Sequence, residues 1–260
     1  MMRRNKLREM LKAGQPTICA RVNTVWPDIV EIIGHTGAYD YVEFAAEYGP
    51  FTLHDLDNFC RAAELYNMST MIKLDQEPRL YLAQRAIRSG FQSILFVDVR
   101  TVEEVEHCVR VVRPDTPEDG GLFGAATRRF AYGSSGHAEF SQALRDVVVA
   151  VMIEKKVAVD HLKDILAVPG LDMIQWGPSD FTMSSGLSRG SPEVKETERK
   201  VIETALKMGV APRIELQNTD NVQYYLDMGV KHFRIGTDMA VLRNYWQSNG
   251  ERLRKLILGA

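Results

Sequence analysis

The sequence has few cysteines and no long apolar run. Its 260 residues include three cysteines, Cys19, Cys60 and Cys108, which are scattered, odd in number and without metal-ligand spacing. This usage is typical of reduced thiols, so we expect a cytoplasmic protein. No apolar run approaches the roughly 18 residues of a membrane span, and no apolar stretch of a signal peptide follows the basic first residues, so no membrane partner is expected.

An excess of charge of either sign is also missing. The formal net charge is −2 at pH 7, from 32 Lys and Arg against 34 Asp and Glu. A nucleic-acid-binding protein would carry clustered Lys and Arg on one face, so no nucleic-acid partner is expected. Gly-rich phosphate loops and a Gly-x-Ser-x-Gly elbow are absent as well, so neither motif predicts nucleotide binding or a serine hydrolase.

Short β-rich runs alternate with amphipathic segments along the whole chain. Each run is followed by a polar connection and a helical pattern, and several of these patterns end at a glycine before the next run. Eight such units without a composition break predict a single (β/α)₈ barrel domain over residues 1–260 rather than a doubly wound sheet. The predicted strands cover residues 16–22, 41–44, 70–74, 93–97, 147–153, 173–176, 211–214 and 232–236.

One segment, residues 113–140, interrupts the alternation of strands and helices and is rich in Gly, Pro and Ser. A connection of this length in a compact barrel is usually functional or mobile. We expect it to lie over the active rim and to bring Arg128 and Arg129 there, with Arg128 as a candidate substrate-binding residue. The alternative is a solvated surface loop.

Two acidic residues close successive predicted strands. Glu154 ends an apolar run, and Asp180 follows Gly177, Pro178 and Ser179 at the start of a helical stretch. In a (β/α)₈ barrel both would lie at the rim that carries active sites. Two hard oxygen ligands predict a Mg²⁺ or Mn²⁺ site, with Co²⁺ as a further candidate, that is left open for substrate. The alternative is that Asp180 only caps a helix and Glu154 is a surface residue.

The turn from residue 177 to residue 180 adds a predicted anion site. Backbone N–H groups at a helix start bind carboxylates and phosphates. A cation beside such donors suits a chelating 2-oxo acid, whose keto and carboxylate oxygens bind the metal. Gly177, Pro178 and Ser179 are therefore candidate substrate-binding residues.

The chain resembles the metal-dependent pyruvate aldolases of the HpcH/HpaI family, which includes 4-hydroxy-2-oxoheptanedioate aldolase. The resemblance covers nearly the whole sequence and includes LKAGQPTIC, AYDYVEFAAEYGP, VMIEKKVAVDHLKDILAVPGLDMIQWGPSDFT and MGVKHFRIGTDMAVLR. It implies that Glu154 and Asp180 are the metal ligands. It also implies a (β/α)₈ barrel that exchanges its last helix in dimers and often assembles as a hexamer.

The sequence departs from the family pattern at the catalytic base. The family has Asp-Gly-Glu-His after the second strand, whereas this chain has Ala-Ala-Glu47-Tyr48. The family arginine that polarises the keto oxygen is replaced by Lys73. Further departures are Met152 for a glutamine, Arg88 for a helix aspartate, and Phe123-Gly124 for Arg-Gly.

These departures leave the proton transfer open. A tyrosine, with an ordinary pKa of about 10, needs a cation such as Lys73, Arg128 or Arg129 to act as a base. Tyr48 could instead donate to a developing alkoxide, with a metal-bound water positioned by Glu47 as the base. Tyr48 could also pack under residues 113–140, and Lys73 could reach solvent from a strand end. As a further alternative, His54 or His137, which fall in or near predicted rim loops, could replace the missing base.

Basic residues at strand ends suggest a polyanionic substrate. Arg21 and Lys73 at the rim would form an electropositive bowl for a polycarboxylate or a phosphorylated compound, and Arg213 and Arg234 also fall on strands. The alternative is that these cations pair with acidic residues. The candidate partners are Glu43, Glu47 and Glu215.

The leading hypothesis is a divalent-metal-dependent carbon–carbon lyase that forms a pyruvate-type enolate from a 2-oxo acid. A second hypothesis is a citrate-synthase-like or other enolate condensation in the same fold. A third is a catalytically weakened protein that binds a 2-oxo acid. Schiff-base chemistry at Lys155 or Lys156 is not expected, because neighbouring lysines do not suit a buried apolar pocket.

Overall fold

The computed structural model describes residues 2–128, 130–133 and 136–259, and in these residues eight parallel strands close into a barrel. The strands are β1 Thr17–Val22, β2 Tyr41–Ala45, β3 Ser69–Lys73, β4 Ser93–Phe96, β5 Val148–Ile153, β6 Met173–Trp176, β7 Ala211–Leu216 and β8 His232–Thr237. Each strand pairs with its neighbours in chain order, and β1 pairs with β8. The predicted (β/α)₈ barrel is confirmed, with each strand shifted by at most two residues.

Helices connect the strands and surround the barrel. Two short 3₁₀ turns, Ala46–Tyr48 and Phe130–Tyr132, supplement them. The helices are α1 Lys6–Lys12, α2 Pro27–His35, α3 Leu53–Leu65, α4 Arg79–Ser89, α5 Val102–Val112, α6 His137–Arg145, α7 Lys156–Asp160, α8 Leu162–Leu166, α9 Pro178–Ser185, α10 Pro192–Lys207, α11 Val222–Asp227 and α12 Asp238–Leu258.

The strands are buried on both faces, as parallel strands covered by helices must be. In β5, Val149 and Val151 pack in the layer between strands and helices, while Ala150 and Met152 point into the barrel. This period of two places alternate residues in two separate apolar clusters. The near-continuous apolar run of β5 follows from that double burial.

The helix α1 covers the amino end of the barrel. Its N-cap, Asn5, donates from its side chain to the carbonyls of Gln92 and Asp146, at 2.7 and 2.9 Å. Both residues lie just before strands, and Leu7 of α1 is fully buried against the barrel interior. The barrel is therefore closed at this end, and access is left at the carboxyl end.

The segment 113–140 does not lie over the active rim, so that prediction is wrong. The segment follows the helix α5 rather than a strand, and therefore begins at the amino end of the barrel. There Leu122 accepts a hydrogen bond from Gln84 at 2.8 Å, and Ala126 accepts one from Arg88 at 3.2 Å. His137, which begins α6 after this segment, is at the same end and is not a substitute base.

The last helix, α12, has 21 residues, and of these only Asp238 is buried. Most of its large apolar side chains are exposed. These are Met239, Val241, Tyr245, Trp246, Leu253, Leu256, Ile257 and Leu258. In the described part of the chain, neither this helix nor any other combines the length and the apolar character of a membrane span.

Candidate active site

A cavity of about 320 Å³ opens at the carboxyl end of the barrel strands. It is bordered by the ends of β1, β3, β5, β6 and β7 and by the first turn of α9. Most of the predicted site residues line it together. These are Arg21, Tyr48, Lys73, Glu154, Gly177, Pro178, Ser179 and Asp180.

Glu154 directly follows β5, and its side chain is buried in the cavity wall. Its Oε1 accepts a hydrogen bond from the backbone N–H of Asp98 at 2.9 Å. Burial raises the pKa of Glu154 to about 7; Asp180 and Asp98 add to this shift, while the Asp98 N–H and Lys73 oppose it. Burial therefore outweighs the nearby charge of Lys73, and a bound cation would add positive charge that favours the ionised carboxylate.

Gly177 brings the α9 turn against Glu154. A Cβ at position 177 would lie 2.5 Å from both Cβ and Oε2 of Glu154, so only glycine fits. The N–H of Gly177 donates to Ile153 at 3.1 Å, and Pro178 has no N–H. The prediction that the whole turn supplies anion donors is therefore too broad, and the first-turn N–H groups of Ser179 and Asp180 are the donors that fit.

Asp180 is not the N-cap of α9, since Gly177 holds that position and Asp180 lies in the first turn. Its carboxylate is about half exposed and accepts a hydrogen bond from Lys155 Nζ at 2.9 Å. The same ammonium pairs with Asp98. Asp180 thus faces the cavity on one side and a lysine on the other.

The donor chemistry of Glu154 and Asp180 fits a hard divalent cation. Both carboxylates line the cavity, one from the end of β5 and one from α9. Mg²⁺ and Mn²⁺ take such oxygen ligands and keep water or substrate oxygens at their remaining positions. In the described residues, no three side chains of His, Cys, Asp and Glu come together as a metal-holding group.

Lys73 is buried at the end of β3 and does not reach solvent. Its Nζ forms an ion pair with Glu47 and lies 3.5 Å from the hydroxyl of Tyr48. Burial alone would lower the pKa of Lys73, but the attraction of Glu47 outweighs burial and raises it. Lys73 therefore presents a positive charge to the cavity at neutral pH.

Tyr48 ends the 3₁₀ turn Ala46–Tyr48 and is 57% exposed. Its ring stacks on Arg21, with the guanidinium carbon 4.3 Å from the ring centroid. The alternative that Tyr48 packs under residues 113–140 is wrong, because that segment lies at the other end of the barrel. The hydroxyl of Tyr48 thus lies between a buried cation and open solvent.

The predicted electropositive bowl is largely neutralised by acidic residues. Arg213 pairs with Glu43 at 2.5 Å, and Arg21 faces the same carboxylate at 3.9 Å. Burial alone would raise the pKa of Glu43, but the surrounding arginines lower it to about 2. Arg234 pairs with Glu215. The alternative that the strand-end cations pair with acids is the one that the structure supports.

Arg128 does not line this cavity, contrary to the prediction that it lies at the active rim and binds substrate there. Its guanidinium pairs with Glu64 at 3.0 Å and donates to the carbonyl of Ser89 at 3.2 Å. Those residues end α3 and α4, at the amino end of the barrel. Arg88 also belongs to that end, in the last turn of α4, and Arg129 lies outside the described residues.

Three features of the site were not predicted from the sequence. Asp98 follows β4 just as Glu154 follows β5, so the strand-end rule could have identified it. Lys155 carried no signal beyond its place next to Glu154. On the far wall, Tyr225 donates to Glu198 at 3.0 Å, and nothing in the helical pattern of either residue indicated this pairing.

The family model described as HpcH/HpaI aldolase/citrate lyase matches residues 22–244. The chain belongs to this family. The predicted resemblance and the predicted class of enzyme, an aldolase or carbon–carbon lyase, are confirmed.

Two named relatives and one solved structure of another protein are similar to this HpcH/HpaI-family enzyme over almost its whole length. The hydroxypyruvate/pyruvate aldolase of Delftia acidovorans is 26% identical, over 96% of this chain and 93% of the relative. A 2-keto-3-deoxy-L-rhamnonate aldolase of Escherichia coli is 27% identical, over 90% and 87%. The crystal structure of an HpcH/HpaI aldolase from Desulfitobacterium hafniense has a TM-score of 0.87 at 24% identity and 97% coverage of both chains, which shows the fold.

Proposed function

We propose that this HpcH/HpaI-family enzyme is a divalent-metal-dependent carbon–carbon lyase that acts on a 2-oxo acid. The observation that carries the proposal is the buried Glu154 carboxylate, whose pKa is raised to about 7 beside a second carboxylate, Asp180, in the same cavity. The names of the aldolase relatives, which include pyruvate and a 2-keto acid, support this substrate class.

Glu154 and Asp180 would hold the cation, and Ser179 would complete the binding of the substrate carboxylate through its N–H. Bound Mg²⁺ or Mn²⁺, with Co²⁺ as a further candidate, supplies a Lewis acid for the oxygens of the oxo acid. The absence of a side chain at Gly177 keeps the α9 turn close to Glu154. The cavity would thus fix the oxo acid by its carboxylate and keto ends.

The proton-handling residues would be Lys73, Glu47 and Tyr48. The Lys73 ammonium would donate to the keto oxygen, and Glu47 would hold that ammonium in place. In condensation, Tyr48 would donate its hydroxyl proton to the new alkoxide and regain one from solvent. In cleavage, Tyr48 would first lose this proton to solvent, and the phenolate beside the Lys73 ammonium would then accept the hydroxyl proton of the substrate. Arg21 would keep the Tyr48 ring in position by stacking.

The test is exchange of the methyl protons of pyruvate for deuterium in D₂O, followed by proton NMR with Mn²⁺ or Mg²⁺ added. We expect the wild type to catalyse exchange and a chelator that removes the metal to stop it. Glu154→Gln should lower the exchange rate at least about 100-fold, the usual cost of losing a group that stabilises developing charge. Glu193→Gln, an exposed change on α10, is the control and should keep the rate. Exchange at the wild-type rate in Glu154→Gln contradicts the proposal.

The assembly we propose is a homo-oligomer based on dimers, up to a hexamer, in which α12 packs on a partner subunit. The support is the exposed apolar side chains of this helix, of which Trp246 and Leu256 are 65% and 72% exposed. Apolar patches of this kind are typical of protein interfaces. We also propose a cytoplasmic location, because the three cysteines are free thiols.

A further inference from the structure

A single ammonium group joins the two carboxylates that flank Glu154. Lys155 Nζ lies 2.9 Å from Oδ1 of Asp180 and forms a second ion pair with Asp98. The side chain of Lys155 is 15% exposed, whereas the side chains of Asp98 and Asp180 are 26% and 46% exposed. Two carboxylates and one lysine therefore meet beside Glu154.

Lys155 approaches this group from behind the cavity. Glu154 and Asp180 line the cavity wall, whereas the residues that line it do not include Lys155. The backbone at Lys155 is extended, with φ −117° and ψ 140°, as the N-cap of α7. Successive side chains of an extended chain point in opposite directions, so Glu154 and Lys155 face opposite sides of the same wall.

Asp98 connects the lysine to Glu154. Its backbone N–H donates to Glu154 Oε1 at 2.9 Å, while its carboxylate pairs with Lys155. Its φ is +58°, a left-handed conformation that aspartate tolerates better than most residues. One residue therefore orients Glu154 with its main chain and holds Lys155 with its side chain.

We propose that Lys155 is a positioning residue that neutralises Asp180 and Asp98 and thereby weakens the binding of a divalent cation between Glu154 and Asp180. The inference depends on the metal site of the proposed function. A fixed positive charge beside a divalent ion opposes its binding, and the ammonium also competes for an Asp180 oxygen. The lysine would lower the affinity for the cation without lining the substrate cavity.

The chain offers a matched pair of lysines for the test. Lys155→Met and Lys156→Met remove the same charge from adjacent positions, but Lys156 pairs with Asp160 and is 58% exposed. Mn²⁺ affinity is measured by titration calorimetry on the full chain. We expect Lys155→Met to bind Mn²⁺ at least about tenfold more tightly, as expected for removal of one unit charge near a divalent ion. Lys156→Met should stay within about twofold of the wild type.

Two further variants test whether the positive charge of Lys155 and its pairing with Asp98 affect Mn²⁺ binding. Lys155→Arg keeps the charge and should keep an affinity near that of the wild type. Asp98→Asn keeps a residue that tolerates the left-handed backbone but removes one carboxylate, and it should weaken Mn²⁺ binding because Lys155 then pairs with Asp180 alone. If Lys155→Met does not fold, Lys155→Gln decides, and Mn²⁺ binding by it that is equal to or weaker than that of the wild type overturns the inference.

The outcomes distinguish this inference from the proposed function. In one outcome, Glu154→Gln weakens Mn²⁺ binding and Lys155→Met binds Mn²⁺ no more tightly than the wild type. This outcome overturns the role of Lys155 and leaves the proposed function intact. Mn²⁺ binding by Lys155→Met but not by the wild type supports the role of Lys155 and contradicts a metal-dependent wild-type enzyme. Absence of Mn²⁺ binding in every variant overturns both.

Discussion

The hydroxyl of Tyr48 lies beside the Lys73 ammonium, and its ring rests on the Arg21 guanidinium. Tyr48→Phe keeps the ring and removes only the hydroxyl. We expect aldol cleavage of a 4-hydroxy-2-oxo acid to slow about 100- to 10,000-fold, the range for loss of one general acid or base, while substrate binding changes little. Steady-state kinetics measures this, with Tyr132→Phe at the other end of the barrel as the control. Full activity of Tyr48→Phe would assign proton transfer to another group.

His232 gives a stability prediction that is independent of the site chemistry. It is buried and bonded to Thr17 at 2.9 Å, and burial lowers its pKa to about 4, with Lys231 and Arg213 adding to the shift. The unfolded chain binds a proton near pH 6.5, so stability falls as the pH drops from about 6.5 to about 4. The loss is at most about 3 kcal/mol.

Urea unfolding at several pH values measures this effect. His232→Gln removes the titration and should flatten the dependence between pH 6.5 and pH 4 relative to the wild type. His54→Gln is the control, because His54 is exposed in the first turn of α3. An unchanged slope in His232→Gln would show that other groups cause the acid sensitivity.

At the scale of elements, α12 leaves most of its apolar side chains uncovered along 21 residues. Leu253→Glu places a charge in the middle of this exposed face, where Leu253 is 58% exposed. If α12 packs on a partner, the charge must be desolvated there, and we expect sedimentation velocity to show a shift toward the monomer.

Leu65→Glu is the control for α12, since Leu65 is 71% exposed at the end of α3. It should leave the oligomeric state unchanged. If both variants sediment as the wild type does, α12 is not the contact between subunits.

At the scale of the whole molecule, the two ends of the barrel are separate in function. Arg128→Met removes an ion pair with Glu64 and a hydrogen bond to Ser89 at the amino end. We expect it to lower the free energy of unfolding by about 1 to 2 kcal/mol, while pyruvate proton exchange stays at the wild-type rate. A loss of pyruvate proton exchange without a loss of stability would indicate that Arg128 acts in the active site.

Much of the fold could be predicted because the strand signals are local. β5 and β6 are apolar runs bounded by polar residues, and their burial on both faces follows from covering helices. The positions of Glu154 and Asp180 follow from the same logic, since the carboxyl ends of parallel strands meet at one rim. The error at residues 113–140 came from taking the segment to follow a strand directly, whereas it follows the helix α5.

The sequence by itself determined the barrel, the family and the two acidic residues at the rim, because each depends on patterns within short segments. Only the tertiary structure decided which charges meet. The pairing of Lys73 with Glu47 and of Lys155 with Asp98 and Asp180 joins residues from different strand ends. Such contacts depend on side-chain direction and on distance through space, which the spacing of residues along the sequence does not determine.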